Sequence, residues 1–422
     1  MNKKKVVVLG AGMVGVACAL ELLERGHQVI LVERHEPGGQ TSAGNAGVIA
    51  RSSLMPINNP ALWSALPGLM RNRAAALRYD FGFVVRNAAW VAGFLGRARG
   101  QIYLETAEAL DGLIRLSTTE HQRLMHKAGV AQRFRDSGWV FLYRSQAAFD
   151  QGGLGRAALE HFGVATESLD WAGIQALEPG LHPVFSRGLW VKDAMTVDSP
   201  GRVTGAYADL FVAGGGLFRR AEVRALQPLA GGRWSVGLES GALECDMAVV
   251  ALGPWSRELL WASLRARIPM AYERGYFMEY VSQSATPLTR PVYDTGGAYV
   301  LSPMQDGLRL TTGVELTDRS ARPNHAQLAL AEAAARQAFS LGTRMRSEPT
   351  LNARPTLPDS RPMIGAAPGH PGLWWAFGHQ HIGFSTGPGT ARLLAALMHG
   401  ETPAVPATPF SPDRFLRAKA ET

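Results

Sequence analysis

Lys5-Val6-Val7-Val8-Leu9-Gly10-Ala11-Gly12-Met13-Val14-Gly15 stands at the start of the chain, and Gln28-Val29-Ile30-Leu31-Val32-Glu33 follows one helical run later. Lys5 to Leu9 has the near-continuous apolar pattern of a buried strand, Val14 to Arg25 reads as a helix, and Gln28 to Val32 as a second strand. Gly10 permits a tight turn out of the strand, Gly12 lets backbone N–H groups approach a pyrophosphate, and Gly15 lets the helix pack close to the sheet. The helix N-terminus adds partial positive charge for phosphates. Glu33 is placed to accept both hydroxyls of an adenosine ribose, and its charge would repel a 2′-phosphate. Such a glycine pattern alone is weak and can be an ordinary strand–helix turn. Strand, helix and acid in register predict a dinucleotide clamp.

With 422 residues, 46% of them hydrophobic, the chain has length for two or three cores. Its 43 Lys+Arg against 35 Asp+Glu give a net charge of +8, which favours anionic partners. No long basic run accompanies that excess, so it reads as a basic solvated surface, and nucleic-acid binding is not expected. Cys18 and Cys245 are the only cysteines, too few for a disulfide scaffold or a metal knuckle, and both read as core residues. A clamp beginning this near the N-terminus leaves no room for a secretory signal, so a cytoplasmic location is expected. Residues 81–96 are too short to span a bilayer and carry Arg86, yet arginines flank their aromatic run. Peripheral contact with the inner face of a membrane and burial as a helix of a second domain are both open readings.

After the second strand, the next helix and strand of a double nicotinamide-type unit do not appear. The small-residue loop Pro37 to Gly47 follows instead, over which a long extended cofactor could pass, favouring FAD over NAD. Residues 56–137 read as largely helical, most clearly Glu105 to Lys127. Trp139 to Tyr143 reads as a strand, and Gln146 to Phe162 and Pro200 to Val212 as helices. Strands are expected at Val223–Leu226, Trp234–Leu238, Met247–Leu252, Ile268–Val281 and Val292–Val314, then a helix from His325 to Phe339. The prolines make Asn352 to Gly365 a loop; Leu373 to Phe377 is a strand, Thr390 to His399 a helix, and Pro403 to Pro412 a tail. Nucleotide-domain character thus recurs at the start, middle and end of the chain. The expected division is 1–55, 200–265 and 346–422 for the cofactor domain, with 56–199 and 266–345 for the substrate domain.

Several segments together resemble the D-amino-acid dehydrogenase branch of the FAD-dependent D-amino-acid oxidase superfamily. They are the opening glycine motif with Glu33, the loop Thr41-Ser42-Ala43-Gly44-Asn45-Ala46-Gly47, the strand end Val249–Gly253, Arg354-Pro355 with Pro358-Asp359 and Gly365, and Gly378-His379-Gln380-His381-Ile382-Gly383. The resemblance spans nearly the whole chain. It implies an α/β fold: a Rossmann-type FAD-binding domain interleaved with an α+β substrate domain carrying a mixed or antiparallel sheet. It further implies noncovalent FAD and hydride removal from the carbon beside an amine, giving an imine that water converts to a 2-oxo acid and ammonia. Electrons would pass to a quinone or respiratory carrier. The closing motif, ending Ile382-Gly383-Phe384-Ser385, is more similar to relatives that oxidise cyclic amino acids such as hydroxy-D-proline, which leaves the amino acid open.

The cofactor contacts read from the sequence are Gly10, Gly12, Met13, Val14, Gly15, Glu33, Arg34, Ser42, Asn45, Ala46, Gly47, Val223, Gly253, Trp255, Gly378, His381, Ile382, Gly383, Phe384 and Ser385. Asn45 has a plainer reading as a turn residue. Gly387-Pro388-Gly389 is expected to open the last helix and direct its free N–H groups at the charge that develops on reduced flavin; a plain capped helix is the alternative. The catalytic candidates are Arg354, Tyr276, Tyr299 and His379. Arg354 matches the family's substrate-carboxylate arginine and could pair bidentately. The tyrosine hydroxyls could reach substrate or serve only sheet packing, and of His379 and His381 one would position flavin or amine while the other is structural. Two histidines do not make a metal site. An oxidase or demethylase of secondary amines, of sarcosine type, and a noncatalytic flavoprotein subunit of a hetero-oligomer remain as alternatives, and the oligomeric state is open. An NAD enzyme would be colourless.

Overall fold

The computed structural model describes residues 3–415. The opening strand Lys5–Leu9 lies inside a six-stranded sheet, ordered Leu217–Arg220, Gln28–Glu33, Lys5–Leu9, Met247–Val250, Leu373–Phe377, Met363–Ala366. The first five strands are parallel and the last is antiparallel. Val6 to Leu9 are fully buried because both faces are covered. One face carries the helices Met13–Glu24, Gly100–Lys127, Pro200–Ala213 and Gly383–His399, whose apolar stripes merge with Val6, Val8 and Val249 into one core. The other face packs on a three-stranded antiparallel sheet, Val223–Pro228, Trp234–Leu238 and Gly241–Cys245, around buried Trp234.

The second domain is built on a larger, mostly antiparallel sheet centred on the strand Ala271–Ser282. On one side of it runs the series Gly307–Thr312, Tyr299–Met304, Val292–Asp294, Trp139–Tyr143 and Arg187–Val191; on the other, Thr350–Thr356 pairs with it. Alternation sorts the side chains. Tyr276, Met278 and Tyr280 pack toward the helix Ala326–Ala338. The intervening positions Gly275 and Phe277 face the first domain and line the cavity between the two.

Several sequence-based expectations change. The last helix begins at Gly383, not Thr390, so Gly387-Pro388-Gly389 lies inside it. Glycine is needed there for close packing, since a Cβ on Gly387 would stand 2.8 Å from Met13 Cγ and one on Gly389 2.7 Å from the Leu113 carbonyl oxygen. Pro388 has no N–H for the Phe384 carbonyl one turn back. His121 Nε2, from the long helix, fills that role at 2.9 Å. The segment expected as loop from 352 to 365 contains two strands, Thr350–Thr356 and Met363–Ala366. Sheet pairing overrides Pro355 because its missing donor costs nothing at a position whose carbonyl is used instead, by the Gln380 N–H at 2.9 Å.

The helix expected from 146 to 162 breaks at Gly152, and the helical region from 56 to 137 is interrupted by the strand Leu77–Tyr79. Leu217–Arg220, unmarked in the sequence, is an edge strand of the nucleotide sheet. The proposed domain limits cut across packing at two places: Gly100–Lys127 shares the nucleotide-domain core, and Thr350–Thr356 belongs to the second sheet. Residues 81–96 form two short helices in which Phe83 and Trp90 are buried while Phe81 and Val85 are exposed. The tail is packed rather than loose: Phe410 is buried and Arg414 pairs with Asp359 at 2.7 Å. Residues 1–2 and 416–422, within the outer cofactor-domain segments, lie outside the described residues.

The tightness at Gly389 gives a test. Alanine there gains roughly 1 kcal/mol of helix propensity, but its Cβ meets backbone of the long helix at under 3 Å. Gly389→Ala should therefore lose about 1–3 kcal/mol in denaturant unfolding of the holoprotein, and a stability equal to or above that of the parent would refute the packing argument.

Candidate active site

Gly10 adopts φ +102°, and a Cβ on it would lie 2.5 Å from the Ala251 carbonyl oxygen, so the turn and the neighbouring strand both require glycine. A Cβ on Gly15 would lie 1.8 Å from the Gly10 carbonyl oxygen, which holds the helix start against the turn. Glu33 ends the second strand and accepts from the backbone N–H groups of Ala11 at 3.0 Å and Arg34 at 2.9 Å. The His35 N–H donates to it as well, at 3.2 Å, so of a carboxylate's roughly four acceptor sites one remains for a ribose hydroxyl. Arg34 lies 4.6 Å over the Trp255 ring, and with Val223 and Gly253 they line the far end of the same cavity.

The loop Thr41–Gly47 is held at both ends. Ser42 Oγ accepts from the Met13 N–H at 2.9 Å, and Asn45 Oδ1 accepts from Gly47 N–H at 2.8 Å. Asn45 thus does the work of a turn residue while lining the cavity with Ser42 and Ala46. Gly47, at φ +74°, approaches Val197 too closely for a side chain. From the second sheet, Arg309 Nη1 donates to the carbonyls of Ala43 and Asn45, tying this loop to the roof. The last helix enters alongside: Ile382, Gly383, Phe384 and Ser385 line the cavity, and Ser385 Oγ donates to the Val48 carbonyl at 3.0 Å. The free N–H groups of its first turn are therefore at Gly383 to Ser385, one turn or more ahead of the glycine-proline segment expected to supply them.

The roof carries Arg354. Its strand pairs with Ala271–Ser282 so that Arg354 stands opposite Glu273, with Gly275 next on the same face. A Cβ on Gly275 would be 2.6 Å from Arg354 Nη2, so the guanidinium lies over a position that only glycine leaves open. Arg354 makes one long bond, at 3.4 Å, to the Thr312 carbonyl. Among the described residues it is the cavity-lining arginine without a carboxylate within 4 Å; Arg34 and Arg224 both approach Glu222. Burial disfavours its charge, which a bound anion would offset.

Tyr276 and Tyr299 both border the cavity, and both are buried. Both sit on the sheet face turned toward Ala326–Ala338, in its core. The Tyr276 hydroxyl accepts from Asn324 N–H at 2.7 Å, while burial and Asp294 raise the Tyr299 pKa. Both histidines line the cavity, in different settings. His379 is buried, its Nε2 is 2.9 Å from Thr390 Oγ1, and burial lowers its pKa to about 3, so it is a neutral tie from the preceding turn to the last helix. His381 is open to the cavity, where the surrounding protein and the Arg354 charge both favour the neutral imidazole, with a pKa lowered to about 4. Gly378, φ +85°, turns the chain between them and the strand before.

These parts surround one continuous cavity of about 1640 Å3, above the roughly 300–1,000 Å3 of ordinary small-ligand pockets. A dinucleotide clamp, a guanidinium and a helix N-terminus around this one cavity define a flavin-dependent oxidoreductase. Residues 5–397 match the family model described as FAD dependent oxidoreductase. The chain is 32% identical over 423 residues to a D-amino-acid oxidase of Bradyrhizobium diazoefficiens, covering 98% of this chain and 99% of that protein. It is 31% identical over 438 residues to a D-amino acid dehydrogenase of Cereibacter sphaeroides, covering 98% and 95%. The glycine oxidase of Geobacillus kaustophilus has the same fold, with a TM-score of 0.73 at 18% identity over 99% of this chain and 100% of that one. The chain belongs to the FAD-dependent oxidoreductase family, and FAD is its cofactor. It is an oxidoreductase acting on amino donors. Neither Cys18 nor Cys245 lines the cavity; both are buried, with thiol pKa values raised by burial.

Gly275, Asn352, Phe277 and Arg309 were missed from the sequence. Once Arg354 is placed on a strand, the two-residue period would have put Asn352 on its face. Gly275 and Arg309 carry no local signal, because their importance arises from pairing across strands.

Gly275→Ala should displace the guanidinium and raise the KM for substrate by about 10-fold or more with FAD content unchanged; an unaltered KM would sink the seating argument. Because His379 is neutral when folded, the unfolded chain binds more protons below about pH 6.5, and stability is complete above that value and falls as pH drops toward about 3. The slope is about 1.4 kcal/mol per pH unit for this group. Urea unfolding should show His379→Gln losing less stability between pH ~7 and ~5 than the parent.

Proposed function

We propose that this enzyme oxidises D-amino acids to their imines, which water hydrolyses to 2-oxo acids and ammonia, and that its electrons pass to a quinone or respiratory carrier. The observation that carries the reading is the uncommitted Arg354 guanidinium, seated over Gly275 in the cavity that His381 also lines. The names of the full-length relatives, D-amino-acid oxidase and D-amino acid dehydrogenase, support the substrate class.

Arg354 binds the substrate carboxylate as a charge-assisted pair and so fixes the Cα position. His381, neutral, accepts a hydrogen bond from the substrate amine and does not compete for the carboxylate. The amine must itself be neutral, so that its lone pair can form the C=N bond as hydride leaves Cα. Bound FAD supplies the two-electron acceptor for that hydride. The first turn of the last helix, Gly383 to Ser385, places its free N–H groups and positive dipole end in the same cavity, where they stabilise negative charge. The apolar lining around Val300 and Phe277 excludes water while hydride transfers.

The test is anaerobic mixing of the purified yellow holoenzyme with a panel of D-amino acids, L-amino acids, cyclic D-imino acids and sarcosine. Bleaching by D-amino acids with little by the rest supports the reading; bleaching confined to sarcosine or L-amino acids overturns it. Arg354→Ala should keep FAD and raise the concentration needed for bleaching by roughly 10- to 100-fold, the worth of hydrogen bonds to a charged group.

A further inference from the structure

The cavity continues well past Arg354. The row Phe277, Thr311, Val300, Tyr293, Phe141 crosses the second sheet strand by strand on the cavity face. The Arg354 guanidinium reaches the Thr312 carbonyl on Gly307–Thr312, and Tyr293 lies two strands beyond that strand, roughly 10 Å measured along the sheet. At this far end Trp139, Phe141 and Tyr293 form a cluster with ring centroids 4.5, 5.5 and 6.3 Å apart. All three are partly exposed and line the cavity, with Met55 and Leu154 beside them. The charged side chains of the lining, other than Arg354, come from the nucleotide domain, so this end offers aromatic faces and no formal charge. It also adjoins the flavin seat. Trp139 Nε1 donates to Ser52 Oγ at 3.0 Å, and Ser52 follows the strand Val48–Ala50, whose Val48 carbonyl receives Ser385 Oγ.

We infer that the Trp139–Phe141–Tyr293 cluster is a second ligand site in the same cavity, which takes the planar ring of a quinone electron acceptor. The inference rests on the acceptor part of the function proposed above and places that acceptor. A flat, uncharged ring stacks on an aromatic face by dispersion and quadrupole complementarity, whereas an amino acid is anchored by the charge of Arg354. The quinone gains two electrons and two protons and departs as the quinol; the anionic reduced flavin would supply both electrons and one proton, and solvent the second proton. Donor and acceptor then occupy different parts of one cavity, so reduction and reoxidation draw on separate residues.

The experiment uses holoenzyme reduced anaerobically with stoichiometric dithionite, so that no amino acid is involved and a failure of the substrate assignment is read separately. The reduced enzyme is mixed with ubiquinone-1 or, separately, ferricyanide, and return of the visible flavin absorbance is followed. Ubiquinone-1 binding to oxidised holoenzyme is measured by equilibrium dialysis. In the parent, ubiquinone-1 should bind at one site and reoxidise the flavin with a rate that saturates. In Tyr293→Ala and Trp139→Ala its affinity and rate should fall at least 10-fold, while ferricyanide, which needs no site, stays within 2-fold; Tyr293→Phe, which keeps the ring, should retain the parent rate. Equal ubiquinone-1 rates in parent and variants would overturn the assignment, as would a parallel loss with ferricyanide. So would variants that keep ubiquinone-1 turnover but lose anaerobic bleaching by D-amino acids, since the cluster would then hold substrate.

Discussion

Two helices that meet almost backbone to backbone set the geometry of the whole site. The last helix, Gly383–His399, lies on the first, Met13–Glu24, and on the long helix Gly100–Lys127, at a distance that Gly387 and Gly389 alone make available. Contact of this kind brings two N-termini, at Met13 and at Gly383, into one cavity. Each carries about half a unit of positive charge, so the cavity is prepared for a diphosphate at one point and for a flavin that becomes anionic at another. Pro388 sharpens the arrangement at the cost of one helical hydrogen bond, and His121 restores that bond from outside the helix. The histidine is fully buried, and burial lowers its pKa to about 4, which keeps it neutral.

Opposite those helices, the sheet of the second domain works by alternation. Gly275 and Phe277 of Ala271–Ser282 face the cavity, and the choice of residue there is an economy of volume: glycine at 275 where a guanidinium must lie, phenylalanine at 277 where Arg309 stacks at 4.4 Å. The other half of the same strand builds an ordinary core with Ala326–Ala338. One strand therefore serves both as structural spine and as the roof of a reaction chamber.

The clamp was legible because its signal is local: strand, glycine turn, helix and acid fall within thirty-odd residues, and each constrains its neighbour. The family resemblance carried the fold and the cofactor. What escaped was non-local. Glycines at 387 and 389 look like a helix start when read along the chain, and become packing residues only when the first and long helices are present. Pro355 reads as a loop former, yet its strand is fixed by seven register partners on Ala271–Ser282. Tyr276 and Tyr299 border the cavity, but the pleat packs them into the core under Ala326–Ala338, a distinction invisible without knowing which face is covered by which domain. His379 and His381, two residues apart in a turn, could be told apart only by what each meets: a threonine in the helix for one, the cavity and Arg354 for the other.

The nucleotide sheet draws its strands from three distant stretches: residues 5–33, 217–250 and 363–377. As the polypeptide leaves the ribosome, its N-terminal strand–helix–strand piece must wait, edges unsatisfied, for partners made 187 and 241 residues later. The helix that closes the flavin seat emerges later still. Cofactor capture is consequently a late event in the birth of this enzyme, and neither half of the molecule can be cut away from the other along the chain without unmaking both.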